Sequence, residues 1–210
     1  MKRAYVVDAA RTAVGKFGGT LSTVRPDDLG ADVIKALVAR NSSIDLNEIE
    51  DVVFGAANQA GEDNRNVARM SLLMAGLPVT VPGLTINRLC ASSLQAIADV
   101  SKNIAIGYGD MFIAGGVESM TRAPFVLPKA ESAYSRAGQV YDTSIGWRFI
   151  NPKLSALYHP YTMGETAENI AEKYGITRQE QDEFAYKTQL NYQNALNANK
   201  FENEIIPVHI

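Results

Sequence analysis

Residues 85–100, TINRLCASSLQAIADV, show where the chain changes from a strand pattern to a helix pattern. A short apolar, β-prone run precedes Cys90, and three small residues follow it. Leu94, Ile97 and Ala98 then recur at the spacing of one face of a helix. The pattern predicts a strand, a turn and a helix, with the only cysteine of the chain at the turn.

A cysteine at such a turn is suited to act as a nucleophile. The thiolate is the attacking form, and a helix N-terminus favours negative charge through its N–H groups and its partial positive charge. The backbone N–H of Cys90 is also placed to donate to a developing oxyanion. Asn87 and Arg88, just before it, are expected to hold the turn. A single cysteine is usually a small buried hydrophobe, so spacing alone favours a structural role for Cys90.

Strand and helix patterns alternate on both sides of this stretch. Apolar, β-rich runs predict strands at 3–10, 49–58, 83–89 and 110–119. Helical spacing and end signals predict helices at 26–41 and 64–78. The alternation predicts an α/β layered fold with a largely parallel sheet. The glycines at 115 and 116 suggest close backbone packing near the Cys90 turn, with a simple strand end as the alternative.

The pattern changes near residue 121. Residues 121–162 are rich in proline and aromatic residues without a sustained period, which is typical of a long functional loop. Two helices follow, at 163–175 and 177–200, and the second opens with the capping box of Thr177 and Glu180. Residues 203–210 begin another strand pattern. We therefore expect one domain over 1–121 and a second over 122–210.

Composition excludes several classes of function. The formal net charge of −3 offers no electrostatic footprint for nucleic acid. One cysteine cannot form an intrachain disulfide, and with two histidines it cannot complete a closed zinc site, so we expect no metal. The sequence shows neither a secretory signal nor an apolar run long enough for a membrane span. We expect a cytoplasmic protein that binds neither membrane nor nucleic acid.

Six segments resemble motifs of the thiolase family and follow the order of that family. They are DAARTAVGKFGG at 8–19, NQAGEDNRNVAR at 58–69, INRLCASSLQAI at 86–97, AGGVESMTRAPF at 114–125, IGWRFINP at 145–152 and MGETAENIA at 163–171. Several most resemble the thiolases that cleave 3-oxoadipyl-CoA. The resemblance implies a thiolase-like layered fold, with the N-terminal βαβαβ half over 1–121 and part of the loop domain over 122–210.

The resemblance also implies a reaction and its residues. Cys90 would carry the acyl group while a 3-oxoacyl-CoA is cleaved with coenzyme A, which is a substrate, so that no further cofactor is needed. Met163 would border the acyl pocket, and Leu154 would touch the pantetheine arm. Arg148 is a candidate partner for a substrate carboxylate, because a guanidinium binds carboxylate through two hydrogen bonds. Ordinary packing remains an alternative for these last three residues.

Two departures from the family pattern bear on the substrate. Position 162 is Thr where many short-chain thiolases carry His, and position 93 is Ser where many relatives carry Gly. A general 3-ketoacyl-CoA or acetoacetyl-CoA thiolase therefore remains an alternative. A ketoacyl synthase and a non-catalytic folded fragment or interaction module are further alternatives. The resemblance implies a homodimer or homotetramer when the protein is intact.

The resemblance implies further catalytic residues that these 210 residues do not contain. Thiolases take an Asn, a His and a second Cys from a second half of similar size. His159, in the sequence YHP, lacks the glycine-rich approach of the family histidine, so we expect it to pack on the surface or in a loop. We therefore expect the 210 residues alone to show no thiolase turnover, because general acid–base catalysis and one oxyanion hole would be missing.

Overall fold

The computed structural model describes residues 1–136 and 138–210. The chain divides into two compact units, one formed by Met1–Pro124 with Glu204–Ile210 and the other by Phe125–Asn203. The predicted domain boundary at residue 121 falls near this division, whereas residues 204–210 belong with the first unit. The roles expected for the two domains stay predictions.

The first unit is an α/β structure built on a parallel sheet. Its strands and helices are α1 (Pro26–Arg40), β1 (Asp51–Gly55), α2 (Val67–Met74), β2 (Gly83–Ile86), α3 (Ser92–Ile106) and β3 (Phe112–Gly116). The strands lie in the order β2-β1-β3, and both neighbours run parallel to β1. The predicted fold class and the six predicted elements from 26 to 119 are confirmed.

The core of this unit lies on both faces of β1. Val52 and Phe54 point to one face, where they pack in a cluster that includes Ile34 and Leu72. Val53 points to the opposite face and packs on α3. Successive side chains of a strand alternate between faces, and β1 needs apolar residues on both because helices cover both. The central strand therefore holds α3 against the sheet.

The strands predicted at 3–10 and 203–210 are wrong. Among the described residues, the second segment forms only an isolated bridge, between Ile205 and Arg11, and Arg11 lies just after the first segment. Tyr5, Val6 and Val7 are apolar and β-prone, yet they are between 75% and 83% exposed. A strand forms through its ladder of hydrogen bonds, and residues 3–10 pair with no strand in the described part of the chain.

The second unit is made of short pairings and surface helices. It contains a hairpin of β4 (Phe125–Val126) and β5 (Tyr141–Asp142), followed by α4 (Pro152–Leu157), α5 (Met163–Tyr174) and α6 (Arg178–Asn197). The two predicted helices at 163–175 and 177–200 are confirmed, as is the capping box of Thr177 and Glu180. No helix in the described ranges is both long and apolar enough to cross a membrane.

Candidate active site at Cys90

Cys90 lies exposed in the turn between β2 and α3, as the sequence predicts. The helix begins at Ser92, so the cysteine is in the turn and not in the first helical residue. Leu89, just before it, has a φ of 52°, a left-handed conformation that a branched side chain rarely adopts. Such backbone strain persists only where surrounding contacts enforce it. The chain therefore makes a sharp, enforced turn at Cys90.

Two side chains hold this turn from within. The Ser92 hydroxyl, which is buried, accepts a hydrogen bond from the Arg88 N–H (2.8 Å) and donates one to the Leu89 carbonyl (2.6 Å). The Asn87 side-chain oxygen accepts from the Leu89 N–H at 2.9 Å. The predicted holding role of Asn87 is therefore seen directly, and the backbone of Arg88 shares it.

Two glycines allow the start of α3 to lie directly on the sheet. A Cβ on Gly55 would collide with the backbone of Ser92 and Ser93, and one on Gly116 would collide with the Ser93 hydroxyl. The close packing suggested for Gly116 is confirmed. Gly55 was not expected; its signal in the sequence is a glycine at the end of an apolar strand. Because neither position carries a side chain, the start of α3 and the Cys90 turn before it can lie close to the sheet.

A carboxylate at the same edge of the sheet binds the backbone that follows a neighbouring strand. Glu118, after β3, accepts hydrogen bonds from the N–H groups of Ala57 (2.7 Å) and Asn58 (3.3 Å), after β1. The Asn87 side-chain amide, after β2, donates to the Ala57 carbonyl at 2.8 Å. The carboxyl ends of all three parallel strands are thus joined beside Cys90. In open α/β sheets this is the edge where ligands bind.

An ion-pair network lies elsewhere in the first unit. Arg122 binds Glu62 through two hydrogen bonds, of 2.5 and 2.6 Å, and Arg25 binds both Glu62 and Asp27. The hydrogen bond from Arg122 holds the pKa of the Glu62 carboxyl below its ordinary value, against the opposing effect of burial. Arg122 also donates to the Ser22 carbonyl, so the network ties three loops together.

The other predicted site residues belong to the second unit. Leu154 lies in α4 and is 44% exposed, and Met163 is the first residue of α5 and is 75% exposed. Arg148 follows Trp147, whose indole N–H donates to the Tyr161 carbonyl at 3.0 Å. This bond brings the segment that carries Arg148 to the start of α5. The substrate-binding roles of the three residues stay predictions.

A groove in the first unit lies apart from Cys90. It has a volume of about 900 Å³ and is lined by residues 4–17 together with parts of α1, α3 and β3. Within the described ranges, no cluster of three or more His, Cys, Asp or Glu side chains could hold a metal ion. Cys90 presents its thiol from a turn that local hydrogen bonds hold.

The sequence pattern that defines the protein family "Thiolase, N-terminal domain" matches residues 4–210 of the chain. The chain belongs to the thiolase family. It is 55% identical, over its whole length, to a β-ketoadipyl-CoA thiolase of Acinetobacter baylyi. It is 51% identical, over 99% of its length, to a 3-oxoadipyl-CoA/3-oxo-5,6-dehydrosuberyl-CoA thiolase of Escherichia coli. The chain spans 52% of the length of each of these relatives.

A solved thiolase-family structure gives the same fold. The crystal structure of the acetyl-CoA acetyltransferase of Bacillus anthracis superposes with a TM-score of 0.84 and shares 35% sequence identity. The match covers 96% of this chain and 49% of that one. The thiolase-like fold implied by the sequence motifs is therefore confirmed for this half-length chain.

Proposed function

We propose that the chain supplies the nucleophile of a thiolase that cleaves a 3-oxoacyl-CoA. The enforced turn that exposes Cys90 between β2 and α3 carries this proposal. An exposed thiol in the turn before a helix has the access that a reactive cysteine requires, and the N-terminal end of a helix favours negative charge nearby. The sequence similarity to named thiolases supports the same assignment.

The reaction proposed for the intact protein has two steps. The Cys90 thiolate attacks the 3-keto carbon of the substrate, and the bond between C2 and C3 breaks. Its electron pair stays on C2, which takes up a proton and leaves as acetyl-CoA. The thiolate of a second coenzyme A then attacks the acyl-Cys90 thioester, which releases the shortened acyl-CoA and restores the Cys90 thiolate.

We propose 3-oxoadipyl-CoA as the preferred substrate. The names of the Acinetobacter and Escherichia relatives, at 55% and 51% identity, support this choice over acetoacetyl-CoA or a general 3-ketoacyl-CoA. Arg148 would pair with the terminal carboxylate, Leu154 with the pantetheine arm and Met163 with the acyl chain. Arg148 and Met163 lie in neighbouring segments of the second unit, as one substrate chain would require.

The proposal extends to the setting of the intact protein. Coenzyme A would be a substrate, and the reaction as written consumes and returns every atom without a further cofactor. We propose a cytoplasmic homodimer or homotetramer. These 210 residues do not contain the Asn, His and second Cys of the family motifs, so we propose that they can be acylated at Cys90 but do not turn over by themselves.

Mass spectrometry of the purified chain tests this function. We expect incubation with 3-oxoadipyl-CoA to add one 3-carboxypropionyl group at Cys90, faster than acetoacetyl-CoA adds an acetyl group. The Cys90→Ser variant is the control and should remain unmodified. Acylation at other residues, or none at Cys90, would contradict the proposal. Equal rates with the two substrates would remove only the preference for 3-oxoadipyl-CoA.

A further inference from the structure

Hydrogen bonds connect a carboxylate on one strand end to the cysteine turn on another. Glu118 accepts from two consecutive N–H groups, those of Ala57 and Asn58. The carbonyl of Ala57 accepts a hydrogen bond from the Asn87 side-chain amide. The oxygen of that same side chain accepts a hydrogen bond from the Leu89 N–H. The path runs from β3 through the end of β1 to the residue next to Cys90.

Each bond in this path acts on backbone that needs outside support. Gln59, just after the two N–H groups that Glu118 binds, has a φ of 50°, and Leu89 has a φ of 52°. Both are left-handed conformations of residues other than glycine, which cost free energy unless their surroundings enforce them. Glu118 is anchored at one of these turns and Asn87 at the other. Neither side chain contacts the Cys90 sulfur in the described hydrogen bonds.

We propose that Glu118 and Asn87 are positioning residues that hold the Cys90 turn in its reactive conformation. The proposal rests on the proposed role of Cys90 as the nucleophile. Glu118 fixes the 57–58 backbone, the carbonyl of residue 57 orients the Asn87 amide, and that amide fixes the Leu89 N–H. The direction of the Cys90 thiol then follows from the enforced φ of Leu89. Loss of either side chain loosens the turn, which the Ser92 hydroxyl still holds, and leaves the thiol chemically intact.

Alkylation by iodoacetamide measures this effect, because the chain has a single cysteine. We expect Glu118→Gln to slow alkylation of Cys90 about fivefold, the factor expected for one hydrogen bond of ordinary strength. The variant keeps the size of the side chain but replaces one acceptor oxygen with a donor. The Leu89 amide should also exchange faster in this variant than in the wild type. Glu172→Gln, which removes an exposed carboxylate of α5, is the matched control and should change neither result.

Asn87→Asp tests the path from its other end. The aspartate can still accept from the Leu89 N–H, but it cannot donate to the carbonyl of residue 57. We expect a similar loss of rate, and a double variant with Glu118→Gln should lose little more than the slower single variant, because the two bonds act in series. Independent effects that multiply would overturn the serial path. Rates within experimental error of the wild type in both single variants would overturn the proposal as a whole.

Amide hydrogen exchange separates a positioning role from a general loss of structure. The expected result is faster exchange at Arg88 and Leu89 with unchanged protection across β1 and α3. Lost protection across β1 and α3 in both variants would overturn the proposal, because the bonds would then support the sheet and not the turn. A wild-type thiol no more reactive than free cysteine would count against the proposed nucleophile. Exchange at Leu89 would still decide whether Glu118 and Asn87 hold the turn.

Discussion

The first unit buries its central strand almost completely, whereas none of the residues of α6, all of which are described, is buried. Val52 and Val53 are 0% and 2% exposed, while Phe184 of α6 is 75% exposed. Elements of the first unit are held by contacts between segments far apart in the sequence. The helices of the second unit are held by their own ends and by side chains one turn apart.

The helix ends show this contrast most clearly. Helices α5 and α6 each begin with a full capping box, in which Thr and Glu satisfy the first backbone N–H groups. Helix α3 begins at Ser92, and its N-cap residue Ala91 makes no side-chain cap; the position of the helix is set by Gly55 and Gly116 beneath it. The helix beside Cys90 thus depends on tertiary packing, and the helices of the second unit depend on local signals.

Replacing one glycine of each unit with alanine should show the largest difference between the two units. Gly55→Ala places a Cβ against the backbone of Ser92 and Ser93, which cannot move without displacing α3. We expect a loss of about 3 kcal/mol or more in unfolding free energy, at the upper end of overpacking effects. We also expect much slower alkylation of Cys90. Chemical denaturation and iodoacetamide kinetics measure the two effects.

Gly164→Ala is the matched substitution in the second unit. Gly164 lies in the first turn of α5, and a Cβ there would meet no atom within 4 Å beyond its chain neighbours and the backbone of its own helix. We expect a stabilisation of about 0.5 kcal/mol, because alanine loses less backbone entropy in a helix than glycine. Equal effects of the two alanines would show that the two units do not differ as described.

Local signals explain which elements the sequence predicts. Pro26 with Asp27 and Asp28 marks the start of α1, and Thr177 with Glu180 marks the start of α6, so both helices can be predicted without their neighbours. The segment 5–7, YVV, and the segment 52–54, VVF, have the same strand pattern, but only the second lies between two other strands. Whether a segment forms a strand depends on another strand beside it, and the sequence of the segment alone does not show that partner.

The same limit applies to the candidate site. The cysteine, the small residues after it and the adjoining strand and helix patterns are contiguous, so the exposed turn at Cys90 could be predicted. Glu118 acts on backbone N–H groups about sixty positions earlier in the chain. Any residue type at 57 and 58 except proline would present those groups. No local pattern could therefore indicate that Glu118 supports the turn.

Removal of the Glu62 charge should give the next largest effect. Glu62→Gln leaves Arg122 and Arg25 facing each other without the shared carboxylate. We expect a loss of about 1–2 kcal/mol at neutral pH, as for a partly buried, bidentate ion pair. Asp182→Asn, which removes an exposed ion pair within α6, is the control and should have little effect.

The pH dependence of the Glu62 effect follows from its pKa. The folded chain lowers the pKa of Glu62 below the ordinary value of 4.5, so the folded state releases this proton more readily than the unfolded state. The stabilisation is then fully present above the ordinary value and is lost as the pH falls through the lowered pKa. Denaturation curves of wild type and Glu62→Gln should converge at acidic pH. A difference in stability between the two proteins that persists at acidic pH would show that the Glu62 charge does not cause it.

The capping box of α5 should give a smaller effect that stays within the second unit. Thr162→Ala removes the hydroxyl that accepts from the Glu165 N–H, and we expect the helix to lose about 1 kcal/mol. Amide exchange should become faster at the start of α5 and remain unchanged across β1. Thr162→Ser keeps the hydroxyl and should behave like the wild type. Faster exchange across β1 would contradict a purely local role of the cap.

Asp51 gives the smallest expected effect and is the exception within the well-packed first unit. Its Oδ1 atom is buried and has no hydrogen-bond partner in the described part of the chain, and burial raises the pKa of this carboxyl above its ordinary value of 3.8. The folded state therefore holds the proton to higher pH than the unfolded state does. Stability falls as the pH rises from the ordinary value through the raised pKa, because above it folding must bury a charge.

Asp51→Asn removes this charge and keeps the shape of the side chain. We expect a gain of about 0.5 kcal/mol at neutral pH, below the usual cost of an unpaired buried polar group because the side chain is partly exposed to solvent. The gain should disappear at a pH below the ordinary value of 3.8, where the wild-type carboxyl is protonated in both states. Thermal unfolding of both chains at acidic and neutral pH measures this difference. A variant less stable than the wild type at neutral pH would show that the Asp51 charge contributes a favourable interaction at the start of β1.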